Sequence, residues 1–162
     1  MVKFFLKAKA ELVNVTDLEP VDSPQNPYEY TFTIECTKCR EVHDKPVTIN
    51  TFEQHEITGS RGEASFVFRC KNCKSEHLAQ VERTKQKLTI EDNGKWVKLL
   101  EIDARGLDFV KFEALGQWQC HSSNSVTQFS EVDLEDGEWY DYDDNASEEV
   151  SVTEVSFDIA RS

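Results

Sequence analysis

Two Cys-x-x-Cys pairs, Cys36-Thr37-Lys38-Cys39 and Cys70-Lys71-Asn72-Cys73, limit what this chain can fold into more than any other feature. Two residues between cysteines let both sulfurs of a tight turn point at one ion. Two such turns supply the four thiolates of a tetrahedral zinc site, the usual form of a closed structural centre. Cys36, Cys39, Cys70 and Cys73 are therefore expected to hold one zinc ion per chain. The stretch from Arg40 to Arg69 is longer than the spacer of a short zinc ribbon, so it must carry structure of its own. Two redox-active pairs would instead sit where a strand meets a helix in a βαβ setting, and no such setting is visible.

Charge supports the metal reading. A zinc ion with four thiolates carries two negative charges, and Lys38, Arg40, Arg69, Lys71 and Lys74 crowd around the ligands in a chain whose net charge is −13. Cations there lower thiol pKa values and favour the bound thiolates. Elsewhere the balance is acidic. Residues 1–80 hold 10 Lys and Arg against 12 Asp and Glu, and residues 81–162 hold 8 against 19. That argues against nucleic-acid binding, which draws most of its affinity from cation–phosphate contacts. No apolar run approaches the roughly 18 residues of a membrane span. The opening Met1–Lys9 is cut by Lys7 and Lys9 and makes a poor export signal, so a reducing compartment is expected: the cytoplasm, with the nucleus also open to it.

Period-two alternation runs through the chain, and the expected fold class is all-β. Phe4, Leu6, Ala8, Ala10 and Leu12 alternate with charge, broken only by Phe5, and residues 14–27 read as a long loop. Tyr28, Tyr30, Phe32, Ile34 and Cys36 form the cleanest strand and deliver the first knuckle, while Ala64, Phe66 and Phe68 lead to the second. Gly59-Ser60-Arg61-Gly62 reads as a turn. Lys87–Ile90 and Trp96–Ala104 read as strands on either side of an Asp92-Asn93-Gly94 turn, and Cys120–Ser125 as a polar loop. Residues 131–149 carry 10 carboxylates and no basic residue among Trp139, Tyr140 and Tyr142. Val150 to Ile159 closes the chain as a strand whose register shifts near Glu154.

The expectation is a single zinc-binding β domain over residues 1–162, sandwich- or barrel-like, with the zinc site between two knuckles. A short repeat, Thr16-Asp17-Leu18-Glu19-Pro20-Val21 against Arg105-Gly106-Leu107-Asp108-Phe109-Val110, suggests pseudo-symmetric halves of about 1–90 and 91–162.

Other chemistry-bearing residues are weaker. His43 and His77 each lie four residues beyond a cysteine pair, but four cysteines already complete a tetrahedron, so supporting or surface roles fit better. Cys120-His121 is a soft-metal pair that usually means nothing alone. Asp141, Asp143 and Asp144 read as a solvated acidic loop, or as part of a docking surface for a basic partner; their order does not match a calcium loop. No catalytic triad, spaced carboxylate pair or open three-ligand metal site can be picked out, and a non-enzymatic role is expected.

Leu18-Glu19-Pro20-Val21, both cysteine pairs, Gly59–Ser65, Arg105–Phe112 and Trp139–Asp144 occur in one order along the chain. In this the chain resembles the eukaryotic CXXC-motif-containing zinc-binding proteins, a family without an assigned function. The resemblance implies a cytosolic, largely β protein with Cys36, Cys39, Cys70 and Cys73 as metal ligands. One departure is that the first knuckle lacks the glycine often found in or after the family's pairs, reading Thr37-Lys38 and then Arg40. The expected function is a monomeric zinc-binding protein, structural in its metal, that engages an unidentified protein partner through its acidic surface. The alternative is a metal-handling protein that donates, accepts or senses zinc or copper.

Overall fold

Alternation becomes strand almost everywhere in the computed structural model, which describes residues 1–57 and 62–161. The elements of the first half are β1 (Val2–Val13), β2 (Val15–Pro20), β3 (Tyr30–Cys36), β4 (Val47–Ile49), β5 (His55–Glu56), β6 (Glu63–Ala64), β7 (Phe66–Arg69) and β8 (Glu76–Arg83). The 3-10 turn Ile90–Asp92 leads to β9 (Val97–Arg105), β10 (Leu107–Glu113), β11 (Gln117–Ser122), β12 (Gln128–Asp133), β13 (Trp139–Asp143) and β14 (Glu148–Arg161). The class is all-β; the described residues contain no α-helix.

β1 shows why these residues make strands. Phe4, Leu6, Ala8, Ala10 and Leu12 are all buried, while the residues between them reach solvent. The strand is central to a six-stranded antiparallel sheet of order β13-β14-β1-β9-β8-β7. Two three-stranded sheets, β10-β3-β4 and β12-β11-β2, complete the wall of the core, with β5-β6 as a separate hairpin. Aromatic rings bridge the layers. Phe109 meets Phe4 of the large sheet at 5.8 Å between centroids and Phe32 of β3 at 5.0 Å. Trp118 of β11 meets Phe157 of β14 at 5.8 Å. The edge contacts of Phe109 suit ring quadrupoles, and all three contacts add to the burial that drives the fold.

The strand order has a twofold pattern. Pairing β1 with β9, β2 with β10, β3 with β11, β4 with β12, β7 with β13 and β8 with β14 turns the large sheet's order into its own reverse and exchanges the two small sheets. Each half lends its second strand to the other half's third, so β10 pairs with β3 and β2 with β11. A one-residue break in the left-handed region separates the first two strands of each half: Asn14 at φ +60° and Gly106 at φ +82°.

Four expectations need correction. Residues 14–27 contain β2, hidden because Asp17 at φ +57° interrupts the alternation so that Val15, Leu18 and Pro20 face inward at uneven spacing. Lys87–Ile90 is not a strand. Leu88 makes only an isolated bridge with Leu18 before the 3-10 turn begins. Cys120, His121 and Ser122 belong to β11, so the polar loop is shorter than read. Asp141 and Asp143, read as part of a solvated acidic loop, belong to β13. Residues 59–61 of the Gly59–Gly62 turn lie outside the described residues.

Candidate metal centre

The first knuckle follows β3 and the second joins β7 to β8. Both are built alike. The Cys36 amide donates to the Glu41 carbonyl and that of Cys70 to Ser75, each at 2.9 Å, which closes two five-residue spans. The Arg40 amide returns to the Cys36 carbonyl at 2.8 Å, and that of Lys74 to Cys70 at 2.9 Å. Arg40 and Lys74 both sit at φ +64°. A left-handed residue after the second cysteine is a position glycine fills without steric cost, and here two long basic side chains occupy it. Both knuckles thus close by the same bonds without a glycine.

The four sulfurs of Cys36, Cys39, Cys70 and Cys73 converge within 4.8 Å of one another. Cys36 Sγ lies 3.7 Å from Cys73 Sγ, and Cys39 Sγ lies 3.6 Å from Cys70 Sγ. A tetrahedral ion with bonds of about 2.3 Å to sulfur requires sulfur–sulfur edges of about 3.8 Å. The arrangement fits one zinc ion. Cys36 and Cys70 are buried, whereas Cys39 and Cys73 are half-buried, so the cluster has a dry side and a wet side.

Local hydrogen bonds prepare the thiols unequally. Burial pushes the Cys36 thiol up to about 11, against the opposing pull of the Cys39 and Lys38 amides. The Asn72 side chain and the Glu41 amide lower Cys39. The Ser75 side chain and amide bring Cys73 down to about 6. A metal that takes all four as thiolates must displace the Cys36 proton, and metal binding is accordingly linked to proton release.

Of the two histidines, the structure brings one to the centre. His77 is buried on β8 with Nε2 3.0 Å from Cys36 Sγ. Burial and the nearby Lys38 and Arg105 charges lower its pKa and favour the neutral ring, which has one N–H to give the sulfur. Gly106 makes the room: a Cβ built there would fall 2.1 Å from His77 Nδ1, and its φ of +82° suits glycine as well. His43 instead packs edge-on against Phe68 at 4.8 Å.

The remaining candidates do not assemble. Cys120 is buried and its thiol is pushed up to about 12, chiefly by that burial. His121 pairs with Asp17 at 2.7 Å. Neighbours on a strand point to opposite faces, so Cys120 and His121 cannot chelate one ion together. Asp143 is a correction: it is fully buried and not part of a solvated acidic loop. Ser125 Oγ and Thr127 Oγ1 donate to it at 2.7 and 2.5 Å, and the Asn145 and Ala146 amides at 3.1 and 3.3 Å. Burial alone would raise its pKa, but hydrogen bonds from Ser122, Thr127, Ser125 and the Ala146 amide win and hold it well below the usual carboxylate range. No cysteine marks this cluster in the sequence; the Asp-x-x-Ala-Ser spacing is its one trace.

Comparison with known proteins agrees with the site. The family model described as "CXXC motif containing zinc binding protein, eukaryotic" matches residues 5–160. A UPF0587 protein of Schizosaccharomyces pombe is 38% identical over 161 residues, covering 99% of each chain. The Homo sapiens protein named "CXXC motif containing zinc binding protein" is 32% identical over 157 residues, covering 96% of each. The crystal structure of C1orf123 superposes with a TM-score of 0.89 at 31% identity, covering 99% of both chains. A hypothetical protein from Plasmodium falciparum shares the fold with a TM-score of 0.86 at 20% identity.

Proposed function

The chain belongs to the family of eukaryotic CXXC-motif-containing zinc-binding proteins, and from that premise we propose that it is a non-enzymatic protein whose zinc is structural and whose acidic second half engages a partner. Cys36, Cys39, Cys70 and Cys73 hold the ion. The observation that carries this reading is the convergence of four sulfurs at tetrahedral spacing. Zinc joins the end of β3 to the β7–β8 connection, two segments that backbone pairing alone leaves in different sheets. It thereby closes one end of the barrel-like core.

The partner face is the stretch around β13, where Glu138, Tyr140, Asp141 and Tyr142 reach solvent within the residue 131–149 run of carboxylates. Exposed tyrosines among carboxylates suit a basic protein surface, by charge steering and by ring–cation contact. The protein acts as a monomer in the reducing cytoplasm. Pull-down with a basic partner peptide tests this face. Binding should weaken steeply with salt and fall when Glu138, Asp141 and Asp144 are changed to their amides. Binding indifferent to both would remove the acidic face from the account.

One observation favours metal handling as a second reading: Cys39 and Cys73 lie on the accessible side of the cluster. An incoming chelator could reach them first. Zinc leaving the folded protein within minutes of adding a strong chelator would support exchange; retention until unfolding would leave the structural role alone.

A further inference from the structure

The twofold strand pattern places a second pair of turns where the first half has its knuckles. β11 ends at Ser122 as β3 ends at Cys36, and β13 ends at Asp143 where the β7 strand leads into Cys70. Several local bonds match, although Val126, in the place of Arg40, is not in the left-handed region. The Ser122 amide donates to the Thr127 carbonyl at 2.9 Å, the same five-residue span as Cys36 to Glu41. Asp143 pairs with Glu148 across the β13–β14 turn, as Cys70 does with Ser75. Ser147, at φ +53°, stands where Lys74 stands at φ +64°. The Ser123 amide donates to the carbonyl of Asn14 at 3.1 Å, as that of Thr37 does to Gly106 at 3.0 Å.

The turn amides that face the side chains correspond too. The Lys38 and Cys39 amides act on Cys36 to lower its thiol pKa, and in the same positions the Asn124 and Ser125 amides donate to Ser122 Oγ at 3.0 and 2.9 Å. The Glu41 amide likewise acts on Cys39, and that of Thr127 donates to Ser125 Oγ at 3.2 Å. Ser122, Ser125, Asp143 and Ala146 thus stand in the places of Cys36, Cys39, Cys70 and Cys73. A serine, a threonine and a carboxylate meet there in a closed set of hydrogen bonds, centred on Asp143.

We infer that Ser122–Ser125 and Asp143–Ala146 are a second knuckle pair in which a buried, hydrogen-bonded carboxylate takes the place of the metal. The consequence is an asymmetric dependence on zinc. The second half keeps its end closed with no ion, so removal of zinc loosens the 36–41 and 70–75 turns and leaves the 122–127 and 143–148 turns shut. The inference rests on the zinc assignment above only for which end responds to the ion. The equivalence of the turns rests on topology and hydrogen bonds alone.

Two measurements on the full chain test it. Amide hydrogen exchange is followed by NMR before and after zinc removal with a chelator. The amides of Lys38, Cys39, Glu41 and Ser75 should speed up by at least about tenfold, and those of Asn124, Ser125, Asn145 and Ala146 by less than about threefold. Loss of protection at both ends together would overturn the inference. Second, Ser122→Cys, Ser125→Cys, Asp143→Cys and Ala146→Cys are combined, and zinc per chain is counted by native mass spectrometry. Two ions are expected. A folded variant with one ion overturns the equivalence, and if the variant does not fold, the exchange measurement on the natural chain decides. Wild type is counted alongside. No zinc there would sink the zinc assignment, a result distinct from one zinc in both proteins.

Discussion

The two ends of this molecule solve one problem with different chemistry. At the Cys36–Cys73 end, four sulfurs gather at the edge spacing of a tetrahedron, two of them within reach of solvent. At the Asp143 end, turns in the equivalent places close on a carboxylate that is fully buried and accepts from hydroxyl and amide donors. The difference lies in what each can lose. A metal clasp opens when its ion leaves. A hydrogen-bonded clasp opens only when the fold does, or when its carboxylate is protonated. The backbone therefore supplies the turn, and the side chains decide whether its stability depends on a solute.

The largest effect should come from breaking the metal end. Cys70→Ser removes a ligand from a site that joins two sheets, and we expect a loss of roughly 3–5 kcal/mol of stability with near-complete loss of tight zinc binding. Denaturant unfolding with parallel zinc analysis would check it; a variant that loses zinc but unfolds at the wild-type midpoint would mean the ion holds nothing together.

Breaking the other end should matter nearly as much, without touching zinc. Asp143→Ala strands the Ser125 and Thr127 hydroxyls and two turn amides, and buried donors without acceptors are costly. We expect the Tm to fall by about 5–10 °C while zinc stays at one per chain.

The breaks between the first two strands of each half sharpen the contrast at intermediate size. Gly106→Ala would drive a Cβ into His77 and strain a left-handed backbone, costing about 1–3 kcal/mol and disturbing the His77–Cys36 contact. Asn14→Gly should cost less than about 1 kcal/mol, because relief of the φ +60° backbone offsets the bond from Asn14 Nδ2 to the Glu149 carbonyl. Equal effects by thermal melting would show that His77 is not held at the metal centre through Gly106.

The smallest and most selective effect is in acid. Protons compete with zinc for thiolates, so the metal end fails first as pH falls. Asp143 has a folded pKa below its unfolded value of about 3.9. Its contribution is therefore complete above the ordinary carboxylate range and is lost only as pH falls from there toward the depressed value. Zinc release followed by a metal-sensitive dye should precede loss of protection at Asn145 and Ala146; the reverse order would overturn the assignment of the two clasps.

What could be read from the sequence follows from what each device leaves in it. Strand β1 was legible because one face is buried from Phe4 to Leu12, leaving an alternation that only Phe5 breaks. The cysteine pairs were legible because sulfur chemistry demands a fixed spacing. β2 was not: Asp17 in the left-handed region puts Val15 and Leu18 three apart on the inward side, which resembles a loop. Which of the two histidines stands beside a cysteine was hidden as well, because His43 occupies the same offset from its own pair as His77 does. Asp143 was misread with Asp141 and Asp144, since burial of one carboxylate among ten depends on partners at Ser125 and Thr127 that belong to another turn.

The most direct test of the whole account is a count of zinc by native mass spectrometry on three proteins in parallel: wild type, the double variant Cys36→Ser with Cys70→Ser, and Asp143→Ala. The account predicts one, none and one. Zinc retained by the double variant, or lost from Asp143→Ala, would contradict it.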